Sequence, residues 1–246
     1  MNSLEGKVII VTGASRGIGA ATALACTAAG AHVIPHATGM SDAAATLSGK
    51  LGVDFLYADF SEKNAGARLF DMAVKRAGRI DGVVNNAGVY LSSSVDGDGW
   101  EEGWSGTLAI NVRAPADICR AAIDHFRTRQ SEGSVVNIAS RAGHRGDGPQ
   151  YAAYAASKGA VIAMTKTWAR AHAGEGIHFY AIAPGWVETR MAPEDIEKRA
   201  QAVADIPLVR VAQPEEVAEM AVFLLSGACT SATGATFDIN GASYVR

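Results

Sequence analysis

The stretch Thr12-Gly13-Ala14-Ser15-Arg16-Gly17-Ile18-Gly19 decides the fold. It follows directly on the apolar run Val8–Val11, which reads as a strand, and it opens the alanine-rich run Gly17–Ala29, which reads as a helix. Three glycines at spacings of four and two, set between strand and helix, let the backbone turn sharply. They also let a pyrophosphate approach the amides at the helix N-terminus. A strand–helix turn without any ligand uses the same glycines, so the elements on either side are what make the segment a cofactor candidate.

Working outward, strand-length apolar runs alternate with helix-length amphipathic stretches. His32–Ile34 reads as a second strand, with Pro35 ending it or lying at its edge, and Val53–Tyr57 as a third. A helix is expected over about Glu62–Ala77, a fourth strand over Ile80–Asn85, and a fifth over Ser134–Ile138 after a long helical region. A helix from near Tyr151 runs on through Gly159–Ala171 to a sixth strand, Ile177–Ile182. Pro214–Leu225 makes another helix, its proline at a favoured first-turn position, and Thr236–Ile239 closes the series. Alternation of this kind over the whole length, with short connections and no Pro/Gly/Ser-rich linker, predicts one α/β domain: a doubly wound parallel sheet of about seven strands with helices on both faces. Ligands of such sheets bind beyond the carboxyl ends of the strands.

Composition agrees. The 246 residues are 48% hydrophobic and only 19% charged, enough to fill a core and too apolar for disorder. With 22 basic and 25 acidic residues the net charge is −3, which does not suit a nucleic-acid surface. Cys26, Cys119 and Cys229 are widely separated and fit neither a metal spacing nor a disulfide framework, pointing to a reduced setting. The polar N-terminus and the short apolar run after it fit neither a signal peptide nor a membrane span, so a soluble cytoplasmic protein is expected.

The end of the second strand, Ala31-His32-Val33-Ile34-Pro35-His36-Ala37-Thr38-Gly39, has no carboxylate to read a ribose 2′-hydroxyl. That permits a 2′-phosphate, for which Arg16 offers positive charge, so NADP is favoured with NAD as the alternative. Asp42, a few residues on, is expected to cap the next helix. In Tyr154-Ala155-Ala156-Ser157-Lys158 the i, i+4 spacing sets a phenol and an ammonium on one helix face. A free phenol titrates near 10; a neighbouring cation lowers that value and makes the group a usable acid/base. Alone, the pair is an ordinary surface contact. Strand five, however, ends at Ser140, a hydroxyl able to hold a carbonyl oxygen. Strand four ends in Asn85-Asn86-Ala87-Gly88, a turn small enough for a cofactor to pass, and strand six is followed by the rigid bend Pro184-Gly185-Trp186-Val187-Glu188-Thr189.

These motifs, in this order and with a downstream Asn111, resemble the short-chain dehydrogenase/reductase family over nearly the whole chain, most generally its 3-oxoacyl-carrier-protein reductases. The resemblance implies a Rossmann-type fold and hydride transfer between a nicotinamide cofactor and a carbonyl or secondary alcohol. It makes Tyr154 the general acid/base, with Lys158 lowering its pKa and binding the nicotinamide ribose. Ser140 orients the substrate oxygen, and Asn111 holds a water in the proton relay. It places cofactor contacts along Gly13, Ser15, Arg16, Gly17, Ile18 and Gly19, and at Thr38, Asp59 and Phe60. Further contacts fall at Asn86, Ala87 and Gly88, at Tyr154 and Lys158, and at Pro184, Gly185, Val187 and Thr189. Asp59 takes the adenine-contacting position, and Val187 and Thr189 the carboxamide-contacting ones. A homotetramer is implied, pairing through the long helices after strands four and five and through the C-terminal strand.

Some features depart from the commonest pattern. Ser140 and Tyr154 are 14 positions apart, one more than in many relatives, so a bulge is expected between them; Tyr180 and Ala242 replace a common asparagine and glycine. Glu175 stands where carrier-docking relatives have a basic residue, which argues against a carrier-bound substrate and leaves Arg127 and Arg129 as the remaining candidates for docking. A small alcohol, polyol or sugar is the other substrate expected, and a non-catalytic nucleotide sensor the other function. Asp96–Glu102 is faintly like a calcium loop but lacks the required glycine and terminal carboxylate, so a helix start capped by Asp98 is expected. His32 and His36 lack a third ligand, and no metal site is expected. Tyr90, His144, Tyr151 and Trp186 are candidate pocket residues. Within about 186–206, the charged residues of Met191–Ile206 suggest an exposed lid helix.

Overall fold

A computed structural model of the chain describes residues 3–190 and 195–246. Strands form where Val and Ile run with few polar breaks: β1 (Val8–Val11), β2 (His32–Ala37), β3 (Leu56–Tyr57), β4 (Gly82–Asn85), β5 (Gly133–Ile138), β6 (Ile177–Pro184) and β7 (Thr236–Ile239). Runs of this kind have no solvent face to offer and need cover on both sides. Among the described residues they form one seven-stranded sheet in the order β3-β2-β1-β4-β5-β6-β7, every neighbouring pair parallel. The doubly wound sheet expected from the sequence is the fold observed. The order reverses between β1 and β4, and that switch opens a crevice at the carboxyl ends of the strands.

The connecting helices are α1 (Gly17–Ala28), α2 (Asp42–Leu51), α3 (Ala65–Ala77), α4 (Trp100–Leu108), α5 (Ala114–Arg129), α6 (Ala142–Arg145), α7 (Ala152–His172), α8 (Ile196–Ala204) and α9 (Pro214–Ser226). They cover two faces, and β1 shows how the two-residue period divides the core. Ile9 and Val11 join a cluster with Ala23 and Cys26 of α1 and Val217, Ala221 and Val222 of α9. Val8 and Ile10 join the opposite cluster, with Leu69 and Phe70 of α3 and Ile118, Ala122 and Phe126 of α5. Each fully buried Ile, Leu or Phe contributes roughly 1.5–3 kcal/mol of transfer free energy.

Several boundaries differ from the sequence reading for local reasons. β2 runs through Pro35 to Ala37 instead of ending there. His32 and His36 direct their ladder groups toward β1, so Pro35 turns its missing donor toward β3, which pairs only with His36 and Ala37. Nothing at that level asks Pro35 for an N–H. β3 is only Leu56–Tyr57, and α3 begins at Ala65 because Asn64 takes a left-handed turn with φ 60°. Ser41, not Asp42, caps α2, its hydroxyl accepting from the Ala44 amide, and Asp42 becomes the first helical residue. Asp98 does not cap α4 either: the helix follows Gly99, with Glu101 and Glu102 in its first turn.

Between α4 and α5 the helix does not break but widens. Ala109–Arg113 is a π-helical segment in which the Ala114 amide reaches back to the Ala109 carbonyl. In the segment 186–206, a bridge pairs Val187 with Ala212, and α8 occupies Ile196–Ala204; residues 191–194 lie outside the described residues.

Candidate active site

The crevice is walled first by the glycine turn. Gly13 has φ +62°, and a Cβ there would lie 2.8 Å from Ala87 Cα. A Cβ on Gly19 would meet the Gly13 carbonyl oxygen at 2.2 Å, so that glycine is required by packing. Gly19 itself does not line the crevice; Gly13, Ser15, Arg16, Gly17 and Ile18 do. Arg16 precedes α1 without capping it through its side chain, which leaves the first-turn amides to face the crevice.

Two side chains hold this turn in place. Thr12 Oγ1 accepts from the amides of Asn86 (2.9 Å) and Ala87 (3.0 Å), while Asn86 Nδ2 donates to the carbonyls of Thr12 (2.9 Å) and Gly13 (3.2 Å). The ends of β1 and β4 are thereby tied together. On the other side the Gly13 amide donates to His36 Nδ1 at 3.3 Å, and His36 Nε2 lies 3.0 Å from the Ala58 carbonyl. That pattern fixes the neutral ring with its hydrogen on Nε2. Burial pushes the His36 pKa down to about 4, and its ring stacks on Phe60 at 4.4 Å. His36 had been considered only as a metal ligand; among the described residues no group of three metal-ligating side chains is found.

A cavity of about 650 Å³ runs from this turn across the strand ends. At one end lie Thr38, Asp59 and Phe60, with Asp59 held below the usual carboxylate range by hydrogen bonds from the Ser61 amide and hydroxyl. Its middle and far wall carry Asn86, Ala87, Gly88, Ser140, Tyr154, Lys158, Pro184, Gly185, Val187 and Thr189. The chain therefore brings to one cavity every expected site residue except Gly19 and Asn111.

Asn111 sits in the widened helical turn, and its side chain clamps a backbone. Its Oδ1 accepts from the Val89 amide (2.8 Å), and its Nδ2 donates to the Val89 carbonyl (2.9 Å) and to Ser157 Oγ (3.1 Å). It fastens the loop after β4 to α7, and so holds the wall of the site without lining it.

Tyr154 and Lys158 share one face of α7, the Lys158 Nζ lying 5.7 Å from the Tyr154 ring centre. The ammonium donates to the Ile138 carbonyl at 2.8 Å, and burial pulls its pKa down to about 8. The phenol is not lowered as the spacing suggested. Burial pushes Tyr154 up to about 12, against a hydrogen bond from Ser140 that lowers it. Desolvation outweighs the lysine here because the ammonium is itself buried and turned to a carbonyl. The result is a phenol that carries its proton at neutral pH, hydrogen-bonded to a serine hydroxyl.

The substrate end of the cavity adds groups that motif reading passed over. Tyr90 meets the Tyr154 ring edge-on at 4.7 Å and stacks on Tyr151 at 3.8 Å. Tyr90 and Trp186 line the cavity as expected, but Tyr151 lies behind Tyr90, and His144 stacks on Tyr244. Between Ser140 and Tyr154 the chain forms α6 and turns at Gly146 with φ +82°. Arg141, Arg145 and Asp147 of this stretch line the cavity wall. The only sequence signal for Arg141 is its place next to Ser140.

Comparison with known proteins agrees with this arrangement. The profile of a family described as "Enoyl-(Acyl carrier protein) reductase" matches residues 13–242. A 3-oxoacyl-[acyl-carrier-protein] reductase FabG of Thermotoga maritima is 37% identical over 97% of this chain and 98% of its own. A 3beta-hydroxysteroid dehydrogenase 1 of Eggerthella lenta is 35% identical over 98% of this chain and 94% of its own. A crystal structure from Agrobacterium tumefaciens, described as a proposed 2-deoxy-d-gluconate 3-dehydrogenase with bound NADP, superposes with a TM-score of 0.89. It is 33% identical, covering 99% of this chain and 98% of that one. Sheet order, glycine turn, tyrosine–lysine helix and full-length relatives converge: the chain belongs to the short-chain dehydrogenase/reductase family.

Proposed function

We propose that the chain is an NADP(H)-dependent oxidoreductase acting on a carbonyl or secondary alcohol, with Tyr154 as its general acid/base. The carrying observation is the Tyr154 phenol, hydrogen-bonded by Ser140 beside a buried Lys158, in the cavity that the glycine turn walls. The cavity fits the cofactor: Gly13 is a place where a Cβ has no room, and Gly17 and Ile18, in the first turn of α1 that no Arg16 side chain caps, line it. Gly13, Ser15, Arg16, Gly17 and Ile18 would hold its phosphates, and Asp59 and Phe60 its adenine. Thr38 and Arg16 suit a 2′-phosphate, because the end of β2 carries no carboxylate to repel one. Asn86, Ala87, Gly88, Pro184, Gly185, Val187 and Thr189 would bracket the nicotinamide, with NAD as the alternative ligand. The nicotinamide, when bound, supplies or accepts the hydride.

The chain's own groups manage the oxygen. Ser140 holds the substrate oxygen in place, and Tyr154 gives it a proton in reduction or takes one in oxidation. Lys158 presents its cation toward the same end of the site, and Asn111 positions the wall through Val89. Replacing Tyr154 with Phe should lower kcat on any substrate found in a carbonyl/alcohol panel by about 10²–10⁴-fold, with cofactor binding retained. Undiminished turnover in that variant sinks the mechanism.

A small-molecule substrate is favoured over one borne on an acidic carrier. Arg127 is engaged by Glu175 through two hydrogen bonds, 2.6 and 2.7 Å, and Arg129 donates to the Ile80 carbonyl and to Asp81. Both guanidiniums are already paired with carboxylates of this chain. Comparing turnover of free and carrier-linked ketoacyl compounds separates the two. A homotetramer is also proposed, supported by exposed Trp100 and Leu108 on α4 and by β7 as a sheet edge; light scattering counts the chains.

A further inference from the structure

The cavity holds a buried cation that the proton chemistry does not use. Arg141 follows Ser140 directly, is only 7% exposed, and lines the substrate end. Its amide donates to the Pro184 carbonyl, which fixes the backbone beside Ser140. Among the described residues its guanidinium makes one side-chain hydrogen bond, from Nη1 to the hydroxyl of Ser243. A guanidinium offers five donors, and a buried one is ordinarily matched by a carboxylate. Among the described residues no carboxylate lies within 4.0 Å of it.

The charged neighbours do not remedy this. Asp147 and Asp205 act on Arg141 only at a distance, Arg145 opposes it with a like charge, and Asp147 is hydrogen-bonded to the Tyr90 hydroxyl. Burial and Arg145 hold the Arg141 pKa below the usual value for arginine, without removing its charge at neutral pH. A largely buried guanidinium without a carboxylate partner among the described residues thus stands one residue from the serine proposed to hold the reacting oxygen. The guanidinium fork matches a planar carboxylate.

Building on the proposed alcohol/carbonyl activity, we infer that the substrate carries a carboxylate, and that Arg141 receives it while Ser140 and Tyr154 hold the reacting oxygen. The chemical class is a hydroxy acid and its oxo counterpart. Arg141 is then the specificity-determining residue. It stands at the N-cap of α6, between the serine and the short helix.

The test compares acids with neutral partners of the same shape. With NADP(H), kcat/KM is measured for 3-hydroxybutyrate against 3-hydroxybutyramide and for gluconate against glucitol, in the wild-type protein and in Arg141→Met and Arg141→Lys. Calorimetry of gluconate and glucitol with the protein reads the same preference without turnover. The wild type should favour the acid by about tenfold or more, chiefly in KM, as a charge-assisted pair requires. That ratio should collapse toward one in Arg141→Met and survive in part in Arg141→Lys, with NADPH fluorescence titration reporting whether each variant is folded. Equal handling of acid and neutral partner by the wild type overturns the inference, and so does a preference that persists in folded Arg141→Met. If neutral alcohols turn over in a Tyr154-dependent way without acid preference, only the carboxylate inference has failed. If turnover is indifferent to Tyr154, the underlying mechanism has failed instead.

Discussion

Lys158 is the side chain in the cleft whose charge is hardest to keep. It is 5% exposed, bonded to one carbonyl, and its pKa falls from 10.5 to about 8. A shift of that size corresponds to about 3 kcal/mol of penalty on the charged form. The sign follows from the two states. Below about pH 8 both folded and unfolded chains are protonated, and the folded one bears the whole penalty. Between about 8 and 10.5 the unfolded chain binds the extra proton, so stability rises with pH and the penalty is relieved. Lys158→Met should therefore be more stable than wild type near neutrality, by up to about 3 kcal/mol in urea unfolding, while losing most activity. The stability advantage should shrink as pH climbs through that window; an advantage that is flat with pH would place its origin elsewhere.

At the scale of elements, the turn between β1 and α1 is braced by a strand that is not its neighbour in sequence. His36, at the end of β2, accepts from the Gly13 amide through Nδ1, and a proton added there would confront that donor. Its pKa of about 4 against an ordinary 6.5 means that the unfolded chain protonates first on acidification. The stability it supports is full above about pH 6.5 and is lost by about pH 4, up to about 3 kcal/mol. Comparing urea midpoints of wild type and His36→Asn across that range checks this: the variant should show a shallower acid slope. The same element shows what a sequence alone makes legible. The glycine turn, Ser140, Tyr154 and Lys158 stand out because their roles follow from near neighbours and from strand ends that apolar runs reveal. His36 and Arg141 do not, because their importance arises from sheet register and from a burial that no local pattern encodes. Asn111 shows a third case. Its position in the motif order was legible, but the widened helical turn from which its amide reaches Val89 was not. Capping failed at Asp42 and Asp98 because an adjacent residue was better placed to start the helix.

Taken as a whole, the molecule places two apolar layers on a sheet whose carboxyl edge is left to polar groups and glycine backbone. A ligand filling that edge ties the strand ends, α1 and the bend after β6 together, so its binding should register as global stability. At a hundredfold excess over Kd a ligand adds about 2.7 kcal/mol, worth roughly 5–10 °C in Tm for a domain of this size. NADPH should give the larger shift in a thermal melt and NADH the smaller at equal concentration; the reverse order would show that the carboxylate-free end of β2 does not select the 2′-phosphate. Among the described residues no helix is long and apolar enough to cross a membrane. The five residues Ala109–Arg113 matter more than their length suggests. Deleting one of them would close the bulge and let the rod from Trp100 to Arg129 run on as regular α-helix with the phase of α5 kept. The damage would be local: Asn111 would lose the widened turn from which it holds Val89 and Ser157, so a single lost codon would loosen the wall of the reaction chamber while leaving the helical rod whole.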